Sequence, residues 1–99
     1  MANFEWDPRK ESRNVDKHHI DFTTASLIWD GPVYERPDNR RDYGEARTVA
    51  FGLAEDRVLA VVCTWRQEAR RIISGRIANS RERRIYETEI ARRGRAPPD

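Results

Sequence analysis

The chain has 99 residues, 36% of them charged and 37% hydrophobic, which suits one domain (residues 1–99) with one modest core. The longest apolar run, Val58 to Cys63, is far too short to span a bilayer, and no basic-then-apolar leader opens the chain. The lone Cys63 excludes an internal disulfide, and two histidines with one cysteine offer no structural zinc spacing, so a cytoplasmic protein without metal, cofactor or membrane contact is expected.

In chain order, Phe4–Asp7 alternates apolar and acidic residues before Pro8 and predicts a short first strand. Arg9–Ile20 has helical composition with a thin apolar stripe. Asp21–Pro32 predicts a second short helix, capped by Asp21 or Thr23 and stopped by Asp30-Gly31-Pro32. A weak strand at Val33–Tyr34 leads into a polar loop over Glu35–Gly44. Three strands follow. Arg47–Ala54 sets Val49, Phe51 and Leu53 on one face, Arg57–Trp65 is apolar on both faces and therefore central, and Arg70–Ala78 returns after a turn at Arg66–Ala69. The last helix starts at Asn79, with Glu82 placed for a capping box. Tyr86 and Ile90 form its inward stripe, and Gly94 with Pro97-Pro98 ends it, leaving a disordered tail from about residue 94. The fold class is α+β, a small antiparallel sheet with two N-terminal helices and one C-terminal helix, all packed on one side.

Charge is unevenly distributed. Residues 1–65 carry nine basic and twelve acidic side chains, whereas residues 66–99 carry ten and five. Arg70–Glu87 alone holds six arginines in eighteen residues. Such asymmetry suits either a solvated helix or a basic surface meeting a polyanion, and arginine's planar, always-charged fork fits phosphate better than lysine does. Regular alternation would set Arg71 and Arg76 on opposite faces of their strand; a bulge at Gly75 would bring them together. Among proton-handling groups, His18 and His19 titrate near neutrality, though a histidine at a helix C-terminus also suits the dipole. Glu45 and Arg47 could act on a proton and a phosphate, or form a surface pair of little weight. Trp65 is the tryptophan best suited to stack on a base.

Three ordered blocks carry a family resemblance: FEWDPRK at 4–10 with Asn14 and Lys17-His18; GEAR at 44–47 followed by VAFG at 49–52; and RIISGR at 71–76 followed by Ala78, RERR at 81–84 and Tyr86-Glu87. Together they resemble the BrnT family of toxins from type II toxin–antitoxin systems, which have a RelE-like ribonuclease fold. The family pattern has KHG where this chain has Lys17-His18-His19, TERG at 64–67, SARKA at 74–78 and a tyrosine at Cys63. The resemblance implies an endoribonuclease that arrests growth. It also implies neutralisation by a BrnA-like ribbon-helix-helix antitoxin, with operator DNA bound only through that complex. Metal-free cleavage would use the 2′-hydroxyl as nucleophile and needs a base, cations and an acid. The catalytic candidates are Arg71, Arg76, Glu45, Lys17, His18 and Tyr86; the RNA-binding candidates are Arg47, Trp65, Arg66, Arg70, Arg81, Arg83 and Arg84. The alternative is a non-catalytic module that binds nucleic acid or docks an antitoxin.

Overall fold

The computed structural model describes residues 3–94. The expected tail, with Pro97-Pro98, falls on residues 95–99, outside the described residues. Five strands, β1 (Asn3–Glu5), β2 (Tyr34–Pro37), β3 (Thr48–Ala54), β4 (Arg57–Arg66) and β5 (Ala69–Ile77), form one sheet in the order β1-β5-β4-β3-β2. The β2–β5 segment is an antiparallel meander, while β1 runs parallel to β5, so the sheet is mixed. Two-residue turns follow from backbone geometry: Glu55 and Asp56 both take positive φ, as a tight hairpin with right-handed twist requires. β2 is longer than its polar sequence suggests. As an edge strand it needs no two-sided burial, and Pro37 is tolerated there.

Helix α1 (Pro8–His18) starts where Asp7 accepts a hydrogen bond from the Arg9 N–H, so the first strand stops at Glu5 rather than reaching Asp7. Asp21 caps α2 (Phe22–Ser26) through the Thr24 N–H, and a 3-10 turn (Leu27–Asp30) continues it. Helix α3 (Ser80–Arg93) has the complete capping box: Asn79 accepts from the Glu82 N–H, and Glu82 accepts from the Asn79 N–H.

The helices do not share one side of the sheet. Ile20, Phe22, Ala25 and Ile28 pack with Ala50, Leu59, Val61 and Ile72 on one face, and Gly52 admits the backbone of Ile28 there, where a Cβ would lie 2.7 Å from the Ile28 Cβ. Val49, Phe51, Val58, Ala60 and Val62 face the other way and meet Tyr86 and Ile90 of α3. Both faces of β3 and β4 are apolar, so each demands its own cover.

Helix α1 lies along the sheet edge. β1 pairs with β5 only as far as Arg71, and the next stretch of β5 edge is taken over by one side chain. Asn14 is buried; its Nδ2 donates to the Gly75 carbonyl at 2.8 Å and to the Ile20 carbonyl at 2.9 Å, and its Oδ1 accepts from the Gly75 N–H at 3.1 Å. One amide thus stands in for a missing strand and also fixes the exit of α1. At that exit His19 takes φ 61°, and Gln67 in the β4–β5 turn takes φ 56°; at both positions the resembled family pattern has a glycine that this chain lacks.

Asn14→Ala should leave three buried backbone groups unpaired and destabilise the fold by about 3 kcal/mol. Urea unfolding should show a lowered midpoint with an unchanged slope; an unaltered midpoint would remove Asn14 from this role.

Candidate active site

The register of β4 against β5 decides which side chains meet. Val62 stands opposite Ser74 and Cys63 opposite Ile72, which leaves Ile73 as the extra residue of a bulge. The bulge lies at Ile73 rather than Gly75, and it has the effect anticipated for it. Arg76 faces the same way as Ala60 and Arg71 the same way as Thr64, so both arginines lie on the face that carries α3. Arg70, Ile72 and Gly75 take the opposite face.

Helix α3 covers only part of its face. Beyond its N-terminus lies a groove of about 700 Å³ with Val49, Ala60 and Val62 in its floor and Ser74 and Arg76 along β5. Lys17 and His18 at the end of α1 form one wall, and Arg36 with the Pro37–Arg40 turn forms the other. Two of the arginines here, Arg76 and Arg40, are aimed by carboxylates, whereas Arg36 lies over the Phe51 ring. Arg76 donates through Nη1 and Nη2 to both Glu82 oxygens at 2.7 and 2.8 Å. Its Nε–H and one Nη2–H make no hydrogen bond among the described residues, which leaves the side edge of the fork for a second oxyanion. Arg40 is held in the same way by the buried Asp38, at 2.8 and 2.9 Å.

His18 brings an imidazole into the groove. Partial burial, and then the charges of Lys17, Arg76 and His19, lower its pKa from the ordinary 6.5. It is therefore neutral at physiological pH and able to accept a proton. The Arg76 fork holds the Glu82 carboxyl below its ordinary value of 4.5, and Arg36 contributes to the same shift.

Of the residues singled out from the sequence, the groove brings together Lys17, His18 and Arg76. Arg71 shares the face but is paired with Glu5 at 3.6 Å outside the groove lining. Glu45 pairs with Arg47 and Arg66 at 3.3 and 3.8 Å, and Arg47 stacks on Tyr43 near the start of β3. Tyr86 is buried in the α3 core and donates to the Pro32 carbonyl, which takes it out of the proton-handling set. Arg70 is sandwiched between Trp29 and Trp65 on the opposite face and paired with Glu35 at 2.8 Å; it is a packing residue, and Trp65 has Arg70 on one ring face. Arg81, Arg83 and Arg84 lie exposed on α3 outside the groove. Arg36, Arg40 and Ser74 were not anticipated. The signal available for the arginines was the run Arg36–Arg41, three arginines around Asp38, which reads locally as a polar loop. A broader depression of about 880 Å³ at the β4–β5 turn opposes one guanidinium, Arg66, to Glu5 and Glu68 and holds no comparable group.

Fold and groove together define a small α+β protein with arginines fixed around a neutral histidine. The family model of the BrnT ribonuclease toxins of type II toxin–antitoxin systems matches residues 6–82, and the chain belongs to that family. A toxin of this class has RNA as its target and an antitoxin as its partner. A crystal structure of the Brucella abortus ribonuclease toxin BrnT has the same fold, with a TM-score of 0.60 and 24% identity over 81% of this chain and all of that one. No curated protein matches the chain in sequence.

Because the lowered Glu82 pKa stabilises the fold only while the carboxylate is charged, that contribution is complete above about 4.5 and is lost as pH falls through the lower folded value. Glu82→Gln keeps the reach to the Asn79 N–H but loses the charge. Urea unfolding should show it less stable than the wild type at pH 6.5, with the gap narrowing as pH falls below 4.5.

Proposed function

We propose that the chain is a metal-independent endoribonuclease whose cleavage centre is the groove between α1, β5 and the Pro37–Arg40 turn. The observation that carries this reading is a half-buried histidine, His18, lining one groove with Lys17 and with two arginines, Arg76 and Arg40, already oriented by carboxylates. Neutral His18 takes the proton of a 2′-hydroxyl as that oxygen attacks the adjacent phosphate. Arg76, Arg40 and Lys17 hold the charge that develops on the phosphate oxygens, and such preorganised donors contribute most on charge absent from the ground state. The 5′-oxygen leaves and takes a proton from water, His18 returns its own proton to solvent, and the products end in 2′,3′-cyclic phosphate and 5′-hydroxyl.

The antitoxin in this reading is a BrnA-like ribbon-helix-helix protein that covers the groove, and operator DNA is met only through the pair. Expression of the chain alone should arrest growth, and co-expression of such a partner should restore it. If the bound antitoxin leaves Arg76 and His18 open to solvent, occlusion is the wrong mechanism.

The cleavage reading is tested with purified, antitoxin-free protein and RNA in the presence of a chelator. Fragments with cyclic phosphate ends should form, and loss of all cleavage on chelation would defeat metal independence. The rate should rise with pH through an apparent pKa below 6.5 and then level off, because only the neutral form of His18 accepts the proton. His18→Gln should lower single-turnover cleavage about 10²- to 10⁴-fold and abolish that rise. An unchanged pH profile in the variant would assign the base elsewhere.

A further inference from the structure

A second groove, of about 550 Å³, opens from the first along α1. Lys10, Arg13, Lys17 and Arg41 line it together with His18 and the bulged Ile73, and no carboxylate does. The two grooves share Lys17, His18 and Ser74, so whatever leaves one enters the other.

Ion pairing separates these cations from the arginines held along the sheet. Arg40, Arg47, Arg66, Arg70, Arg71 and Arg76 each have a carboxylate partner. Lys10, Arg13, Lys17 and Arg41 form no ion pair among the described residues. On α1 their spacing of three and four residues sets Lys10, Arg13 and Lys17 on one face, about 10 Å from end to end. Unpaired, solvent-reached cations in a row bind mobile phosphates; a carboxylate-clamped fork holds one group in one place.

We infer that this groove is the track for the RNA strand running away from the scissile phosphate, and that the substrate is single-stranded RNA of several nucleotides lying across both grooves. The inference rests on the reading of the His18 groove as the cleavage centre and adds a footprint to it. A single strand fits because its backbone can follow a bent path and its bases can turn outward, as an A-form duplex does not allow. Ile73, raised by the bulge and half-buried, gives a base or ribose an apolar surface among the cations.

The test uses the full chain and uncleavable 2′-O-methyl RNA of twelve and three nucleotides. For the triple variant Lys10→Gln, Arg13→Gln, Arg41→Gln, affinity for the twelve-mer should fall about tenfold. The slope of log affinity against log salt should become shallower by about two, and the advantage of the twelve-mer over the three-mer should collapse. Arg13→Gln alone, an exposed change, should move the slope by about 0.7 and covers the case in which the triple variant folds poorly. Arg57→Gln with Arg92→Gln, two exposed cations away from both grooves, should leave it unmoved. An unchanged slope in the triple variant would overturn the track, as would a duplex that competes as well as the single strand. So would a variant that keeps its RNA affinity but loses the antitoxin, which would make the groove a protein-docking surface. Because binding is read without cleavage, a wild-type protein that binds as described yet cuts nothing removes the cleavage centre and leaves the track standing.

Discussion

The amide of Asn14 joins two things that the chain keeps 61 residues apart: the end of the first helix and the middle of the last strand. β5 is paired by β1 for only three residues, and an open strand edge must find donors and acceptors elsewhere. By using both its oxygen and its nitrogen on Gly75, Asn14 fixes α1 in height and rotation against the sheet. Lys17 and His18, one turn further on, are therefore carried over the edge to the face where Arg76 emerges. A purely apolar contact would have allowed the helix to slide; two directional bonds to one residue do not.

The electrostatics divide the cations into two populations. Pairing with Glu82 or Asp38 lowers the net charge that Arg76 or Arg40 presents, which weakens nonspecific attraction but removes the entropy of a wandering fork. The free lysines and arginines of α1 retain full charge and mobility. A modest overall balance of +2 thus conceals a surface that is cationic where the grooves lie.

Much of the secondary structure was legible because its signals are local. The Asn79–Glu82 capping box, the Asp21 cap, the Glu55-Asp56 turn and the doubly apolar β4 all depend on neighbours within a few positions. The site was legible only in part. Lys17, His18 and Arg76 stood out by chemistry, but Arg36 and Arg40 owe their position to β2 continuing as an edge strand, which a polar segment does not announce. Tyr86 carried two signals, an inward stripe and a titratable hydroxyl, and burial prevailed. Arg70 looked like a phosphate ligand because nothing local says that Trp29 and Trp65 will close around it. The bulge was expected from glycine's permissiveness, yet Gly75 sits in regular register, held by Asn14 and opposed by Val61, and the irregularity moved to Ile73.

That displaced residue makes the length of the last strand a matter of parity. Arg71 and Arg76 are separated by an odd number of positions, and one uncounted residue converts the odd number to an even one. Straightening the ladder with every residue kept would turn Arg71 into the apolar core and bring Arg70 out. The strand would be better hydrogen-bonded and the protein worse folded. Regular pairing is usually what a strand has to preserve; in this strand, at its present length, it is the imperfection in pairing.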